Sequence, residues 1–78
     1  MSARVQLPDG LKNLLRSELE RAIYESALSR DDALIANRYL IEKVPQVEIA
    51  AELGWERSTI SKRLQMITRR VAWAATRL

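Results

Sequence analysis

The chain has 78 residues, of which 47% are hydrophobic and 29% are charged, and its formal net charge is +3. A chain of this length forms one small domain that buries only about 60% of its unfolded surface, so we expect marginal stability unless copies associate. Cys and His are absent, which excludes disulfides and thiolate metal sites and removes the most common acid–base side chain. We therefore expect no enzymatic activity, no cofactor and no metal.

Residues 1–8 show no apolar period and are predicted to form a flexible N-terminal arm. The first helix is predicted over 9–29, with Asp9 as its N-cap, because apolar residues recur there at three- and four-residue spacing. These are Leu11, Leu15, Leu19, Ala22 and Ile23. A second helix is predicted over 31–43, capped by Ser29 or Asp31 and ending before Pro45, because the residue preceding a proline avoids helical geometry.

A third, short helix is predicted over 45–53, and Gly54 follows as its left-handed C-cap. The fourth helix is predicted over 57–77. Its apolar positions are Ile60, Leu64, Ile67, Val71, Ala74 and Leu78. No segment alternates as a strand does. The sequence therefore predicts an all-α domain of four helices over 9–78, in which the last two helices form a helix-turn-helix. Ala50 is small enough to let these two helices approach, and Trp55 and Ile60 can fill the angle between them.

Charge is distributed unevenly along the chain. Six of the 13 basic residues lie in 57–78, and all 10 acidic residues precede that segment. The basic residues of the segment are Arg57, Lys62, Arg63, Arg69, Arg70 and Arg77. This asymmetry predicts a polyanionic partner for the fourth helix, although a solvated helix face is the simpler alternative.

No apolar run reaches the ~18 residues that span a bilayer, and no secretory segment follows Met1, so a cytoplasmic protein is expected.

The stretch "EIAAELGWERSTISKRLQMITRRV" resembles the helix-turn-helix of region 4 in the sigma-70 family, most closely the extracytoplasmic-function type. The matching positions are Glu48, Ile49, Ala50, Leu53, Gly54, Thr59, Ile60, Arg63 and Leu64. Upstream, Arg38 and Tyr39 resemble the Arg-Tyr pair of that region, whereas the helix predicted over 9–29 has no counterpart there. A complete sigma factor needs more chain than this. The resemblance therefore implies a small stand-alone transcriptional regulator of the phage or mobile-element type, with RNA polymerase as a further candidate partner.

The predicted partner is double-stranded DNA, with the recognition helix over 57–70. Base contacts are expected from Arg57, Ser58, Ser61, Lys62 and Gln65, whose donors and acceptors suit base edges in the major groove. Phosphate contacts are expected from Gln46, Thr59, Arg63, Arg69 and Arg70. The alternative for Ser58 is helix capping, and for Arg63 it is an ion pair with Glu48 or Glu52.

Two large side chains of the fourth helix, Met66 and Trp73, lie away from its apolar stripe. Either the first helix buries them or they form the interface of a homodimer, which is the prediction adopted here because exposed Trp and Met are enriched at interfaces. Two other functions remain open. The helix-turn-helix can serve as a protein-interaction module that binds RNA polymerase or a regulator, or as the DNA-recognition subunit of a packaging or recombination complex.

Overall fold

The structure, a computed structural model, describes residues 7–78, without the side chain of Asp9. Over this range it contains helices and no strand, which confirms the predicted all-α fold. The helices are α1 (Asp9–Lys12), α2 (Arg16–Glu25), α3 (Arg30–Ala36, continued by a π-helical stretch, Asn37–Ile41), α4 (Gln46–Leu53) and α5 (Arg57–Ala75). The predicted arm over 1–8 lies outside the described residues apart from Leu7 and Pro8, and Leu7 packs against the core.

The predicted first helix is divided in two, and this corrects both its length and its cap. Pro8 is the N-cap of α1, so Asp9 is already helical, and α1 ends at Lys12. Leu15 is extended and begins α2, where its N–H donates to a carboxylate oxygen of Glu18 at 2.8 Å. The break turns Leu15 outward, although the sequence placed it on the apolar stripe. Leu11 of α1 and Leu19 of α2 both belong to the core cluster.

Between α2 and α4 the chain turns twice in left-handed geometry without using glycine. Ala27 follows α2 with a φ of 52°, and Lys43 follows the π-helical stretch with a φ of 60°. Ser29, one of the two predicted caps, accepts a hydrogen bond from the N–H of Asp32 at 3.4 Å. The second helix therefore begins at Arg30, one residue before the predicted start, with Asp31 inside its first turn rather than at the cap. Its π-helical continuation ends at Ile41, two residues before the predicted end, and the helix stops before Pro45 as predicted.

The turn between α4 and α5 has the geometry that the sequence predicts. Gly54 adopts φ 70° and ψ 27°. The N–H of Trp55 donates to the carbonyl of Ala50 at 2.9 Å, and that of Gly54 donates to the carbonyl of Ala51 at 3.3 Å. These bonds form a Schellman motif that closes α4. A Cβ at Gly54 would meet no atom within 4 Å, so glycine is favoured here by the backbone conformation alone.

Helix α5 lies at the centre of the fold, and α1, α2, α3 and α4 all pack against it. Its inner face is fully buried along its length, through Ile60, Leu64, Ile67 and Val71. The helix ends at Ala75 rather than at residue 77, which leaves Leu78 half exposed instead of in the core. Within residues 7–78, no helix is long and apolar enough to cross a bilayer.

Candidate nucleic-acid interface

The outward face of α5 is fixed by its buried stripe. Because Ile60, Leu64 and Ile67 point into the core, the opposite side of the first three turns is open to solvent. Met66, one turn after Lys62, is 41% exposed on this side of the helix. The exposed polar side chains of this face are Arg57, Ser58, Thr59, Lys62, Gln65 and Arg69, and Ser61 is half buried at its edge. The structure therefore brings together all the residues for which base contacts are predicted. We call this set, with Ser61, the recognition face.

The cations of the recognition face are not neutralised within the protein. Arg57, Lys62 and Arg69 form no ion pair with any residue in the described range 7–78. Other arginines of the chain do form ion pairs, such as Arg16 with Glu20 and Arg38 with Glu42. The positive charge of the face is consequently available to an external anion.

The hydroxyl groups of the recognition face are equally unengaged. Ser58, Thr59 and Ser61 make no side-chain hydrogen bond with the part of the chain that the structure describes. Thr68 differs, because it is buried and its Oγ1 donates to the carbonyl of Leu64 at 2.8 Å. Ser58 is not the helix cap either: α5 begins at Arg57, its N-cap is Glu56, and no side chain caps it.

Arg63 occupies a different environment from its neighbour Lys62. Its Nη2 and Nε lie 2.8 Å and 2.9 Å from Oδ1 of Asp32, a carboxylate on α3 that is only 4% exposed. Neither Glu48 nor Glu52 is its partner, contrary to the alternative considered from the sequence. This charge-assisted pair ties α5 to α3 and draws the Arg63 guanidinium away from the recognition face.

Gln46, another predicted phosphate contact, also lies apart from that face. It is the first residue of α4, its side chain is only 9% exposed, and its buried Oε1 has no hydrogen-bond partner among the described residues. Its burial leaves little of the side chain for an external ligand. The other predicted phosphate contacts, Thr59, Arg69 and Arg70, are exposed.

Sequence reasoning missed two ion pairs that orient the helices beneath the recognition face. Asp32 lies in the first turn of α3, where the helix dipole alone favours an acidic residue, and its role as the partner of Arg63 depends on a contact across 31 residues of chain. Arg38 bonds to Glu42 at 3.0 Å and, through its other terminal nitrogen, to Glu52 of α4 at 3.3 Å. No spacing rule along one helix would have revealed the contacts between different helices.

The C-terminal half of α5 carries the two large side chains assigned to a dimer interface. Met66 is 41% exposed and Trp73 is 65% exposed, so the alternative that the first helix buries them is wrong. Trp73 instead borders a cleft of about 530 Å³. The cleft is lined by Glu25, Ser26, Arg69, Arg70, Trp73, Ala74, Arg77 and Leu78. We call it the basic cleft; the sequence did not predict it, because it combines the end of α2 with a helix more than 40 residues later.

Comparisons of the chain with models of protein families, with curated proteins and with solved structures find no significant match. The resemblance to sigma-70 region 4 therefore stays a prediction from the sequence. The function is inferred below from the geometry and the charge of the recognition face.

Proposed function

We propose that this protein is a sequence-specific double-stranded DNA-binding transcriptional regulator that places the first half of α5 in the major groove. One observation carries the proposal. The recognition face combines unpaired cations, unengaged hydroxyls and an exposed amide on the second helix of a helix-turn-helix. A major groove about 12 Å wide accepts a helix about 10–12 Å in diameter, and these are the groups that bond to base edges and phosphates.

Each side chain of the recognition face suits a particular contact. Arg57 and Lys62 can donate to O6 and N7 of guanine, and Gln65 can bond to N6 and N7 of adenine. The hydroxyl of Ser58 can donate or accept at either type of base edge. Ser61 lies at the half-buried margin of the face, so its reach is shorter. Discrimination between DNA sequences is therefore expected to depend mainly on the exposed residues of the first three turns.

Phosphate contacts are best assigned to Thr59 and Arg69 of the recognition face and to the neighbouring Arg70, all of which are exposed. Arg63 is left out of this set because it already bonds to Asp32. In our proposal Arg63 acts indirectly, because its ion pair with Asp32 fixes the orientation of α5 about its own axis. A helix held in this way presents the recognition face to DNA with little loss of conformational entropy on binding.

The test is selection of bound fragments from a pool of random duplex DNA, followed by affinity measurements on the selected site. Lys62→Ala should weaken binding to the selected site by ~1–3 kcal/mol, and it should weaken binding to random DNA less. Arg21→Ala is the matched control, because Arg21 is an exposed cation on α2, away from the recognition face. An equal loss on both kinds of DNA would place Lys62 on a phosphate. Failure of the wild type to retain any duplex would contradict the proposal.

The homodimer remains a prediction, and its symmetry would determine how the recognition helices are placed on DNA. Two-fold symmetry would place two recognition helices about 34 Å apart, one turn of DNA. The predicted interface residues Met66 and Trp73 of α5 are both exposed, as are Leu15, the N-cap residue of α2, and Tyr24 of α2. An inverted repeat in the selected fragments, combined with sedimentation as a dimer, would support it. Sedimentation as a monomer both with and without DNA would exclude it.

A further inference from the structure

The basic cleft lies between the C-terminal end of α2 and the C-terminal half of α5. Three arginines of α5 contribute to its lining, and Glu25 of α2 is the single acidic residue there. None of these four charged groups forms an ion pair with a residue in 7–78. Counted over side chains, the cleft therefore has an excess of two positive charges, from Arg69, Arg70 and Arg77 against Glu25.

Arg70 joins the two helices that line this cleft. Its Nη2 lies 3.4 Å from the carbonyl oxygen of Ser26, the C-cap residue of α2. A guanidinium at the C-terminal end of a helix is favoured by the helix dipole and by unpaired carbonyl groups. This contact uses one of the donors of Arg70 and leaves the remaining donors of its planar group for a ligand.

Trp73 gives the cleft an apolar anchor point. The guanidinium carbon of Arg77 lies 5.7 Å from the centre of the indole ring, within the range of a cation–π interaction. Although Arg77 covers one part of the ring, 65% of the residue remains exposed. An exposed indole flanked by arginines has the composition of a binding hot spot, because Trp and Arg dominate the energetics of protein interfaces.

We propose that the basic cleft binds an acidic segment of a partner protein, with an apolar side chain of that segment packed on Trp73. Carboxylates match the planar donors of the arginines, and the indole supplies apolar contact area. Trp73 lies about 24 Å along the helix axis from Arg57, at 1.5 Å per residue. This separation leaves the base-contacting residues of the first turns free for DNA, whereas Arg69 and Arg70 are shared with the phosphate contacts proposed above. The inference goes beyond the proposed function and does not depend on it.

Two other occupants fit the cleft less well. A second copy related by two-fold symmetry would bring the same three arginines of each chain together, with only Glu25 of each chain to offset them. Duplex DNA would satisfy the arginines, but the apolar part of the lining, from Trp73, Ala74 and Leu78, has no counterpart on a phosphate backbone. An acidic segment with an apolar side chain satisfies both parts of the lining.

The experiment uses a fluorescein-labelled peptide in which pairs of glutamates flank single leucines, and a neutral version with glutamine in place of glutamate. Fluorescence anisotropy measures the binding of each peptide to the full chain. We expect the acidic peptide to bind, with affinity that falls as salt rises, and the neutral peptide to bind at least about tenfold more weakly. Trp73→Ala and, separately, Arg77→Glu should each weaken the acidic peptide by about tenfold or more.

Two control variants distinguish binding at the basic cleft from binding elsewhere on the protein. Tyr24→Ala removes an aromatic side chain that is 83% exposed but outside the cleft, and Lys62→Ala removes a cation from the other half of α5. Both should leave peptide affinity unchanged, whereas Trp73→Ala should leave DNA affinity unchanged. Thermal unfolding of each variant verifies folding, and Arg77→Glu serves as an independent test of the cleft should Trp73→Ala unfold.

Four results would overturn the proposal. The first would be failure of the acidic peptide to bind the wild type, and the second would be equally strong binding of the neutral peptide. Alternatively, Trp73→Ala and Arg77→Glu weaken duplex DNA binding as much as Lys62→Ala does, which would make DNA the occupant. Finally, the wild type sediments as a dimer that Trp73→Ala dissociates and Tyr24→Ala does not, which would make a second copy the occupant.

Discussion

The two halves of α5 carry the same sign of charge in different chemical settings. The first half surrounds Lys62 with hydroxyl and amide groups, and its Ile60 and Leu64 side chains point inward. The second half exposes Met66 and Trp73 among its arginines and borders a cleft. A single buried stripe runs beneath both halves and holds them on one rigid helix. Charge alone therefore does not define a binding surface; the neighbours of each cation determine the partner that it fits.

The same lesson holds within a single turn, where Lys62 and Arg63 are adjacent in the sequence. Lys62 is exposed and forms no ion pair within residues 7–78, whereas Arg63 bonds to the buried carboxylate of Asp32. One of these cations is available to a ligand and the other maintains the fold. The predictions below test this difference and the difference between the two halves of α5.

The largest effect is expected from Arg63→Ala. This change leaves the buried Asp32 carboxylate without its partner, so we expect the free energy of unfolding to fall by ~2–4 kcal/mol in urea denaturation. Lys62→Ala, the adjacent control, should change it by less than about 0.5 kcal/mol. Asp32→Ala should cost less than Arg63→Ala, because the partly exposed guanidinium can be hydrated when its partner is lost. Equal effects of Arg63→Ala and Lys62→Ala would show that the ion pair does not anchor α5.

Ala50→Leu tests how closely α4 packs on the first half of α5. Ala50 is buried in the core cluster, so the larger side chain should lower the free energy of unfolding by ~1–3 kcal/mol. Ala51→Leu is the matched control, because Ala51 is its exposed neighbour on the same helix and should tolerate the change. The peptide affinity of the basic cleft should survive in Ala50→Leu if the protein remains folded. Identical melting curves for the two variants would contradict the packing described here.

The sequence predicted the parts of this molecule that depend on local spacing. The spacing of apolar residues at three and four positions predicts the buried stripe of α5 and the polar face opposite it. The conformational freedom of glycine predicts the left-handed geometry of Gly54. The division of the first helix did not follow, because Leu15 has the spacing of a core residue although the chain breaks before it. The Asp32–Arg63 pair and the basic cleft join segments distant in sequence, and only the packing of the helices brings them together.

Smaller effects are expected at the three residues within 7–78 that adopt left-handed geometry. Gly54→Ala places a Cβ in a disfavoured conformation and should lower the free energy of unfolding by ~1 kcal/mol. Ala27 already bears this cost at a φ of 52°, so Ala27→Gly should raise the free energy of unfolding by ~0.5–1 kcal/mol, provided that flexibility gained in the unfolded chain does not offset it. Lys43→Gly should likewise raise the free energy of unfolding. Stabilisation by Gly54→Ala in thermal melts would contradict the turn geometry.

The salt dependence of the affinity for the selected duplex tests the role of the first half of α5 most directly. Wild-type affinity should fall with salt at a log–log slope of about −0.9 for each neutralised phosphate. The double variant Arg57→Ala/Lys62→Ala should lose about 2 kcal/mol or more of binding free energy. Arg77→Ala, which removes a cation from the second half of the same helix, should bind DNA as the wild type does. A slope near zero, or equal losses in the double variant and in Arg77→Ala, would contradict our assignment of DNA recognition to the first half of α5.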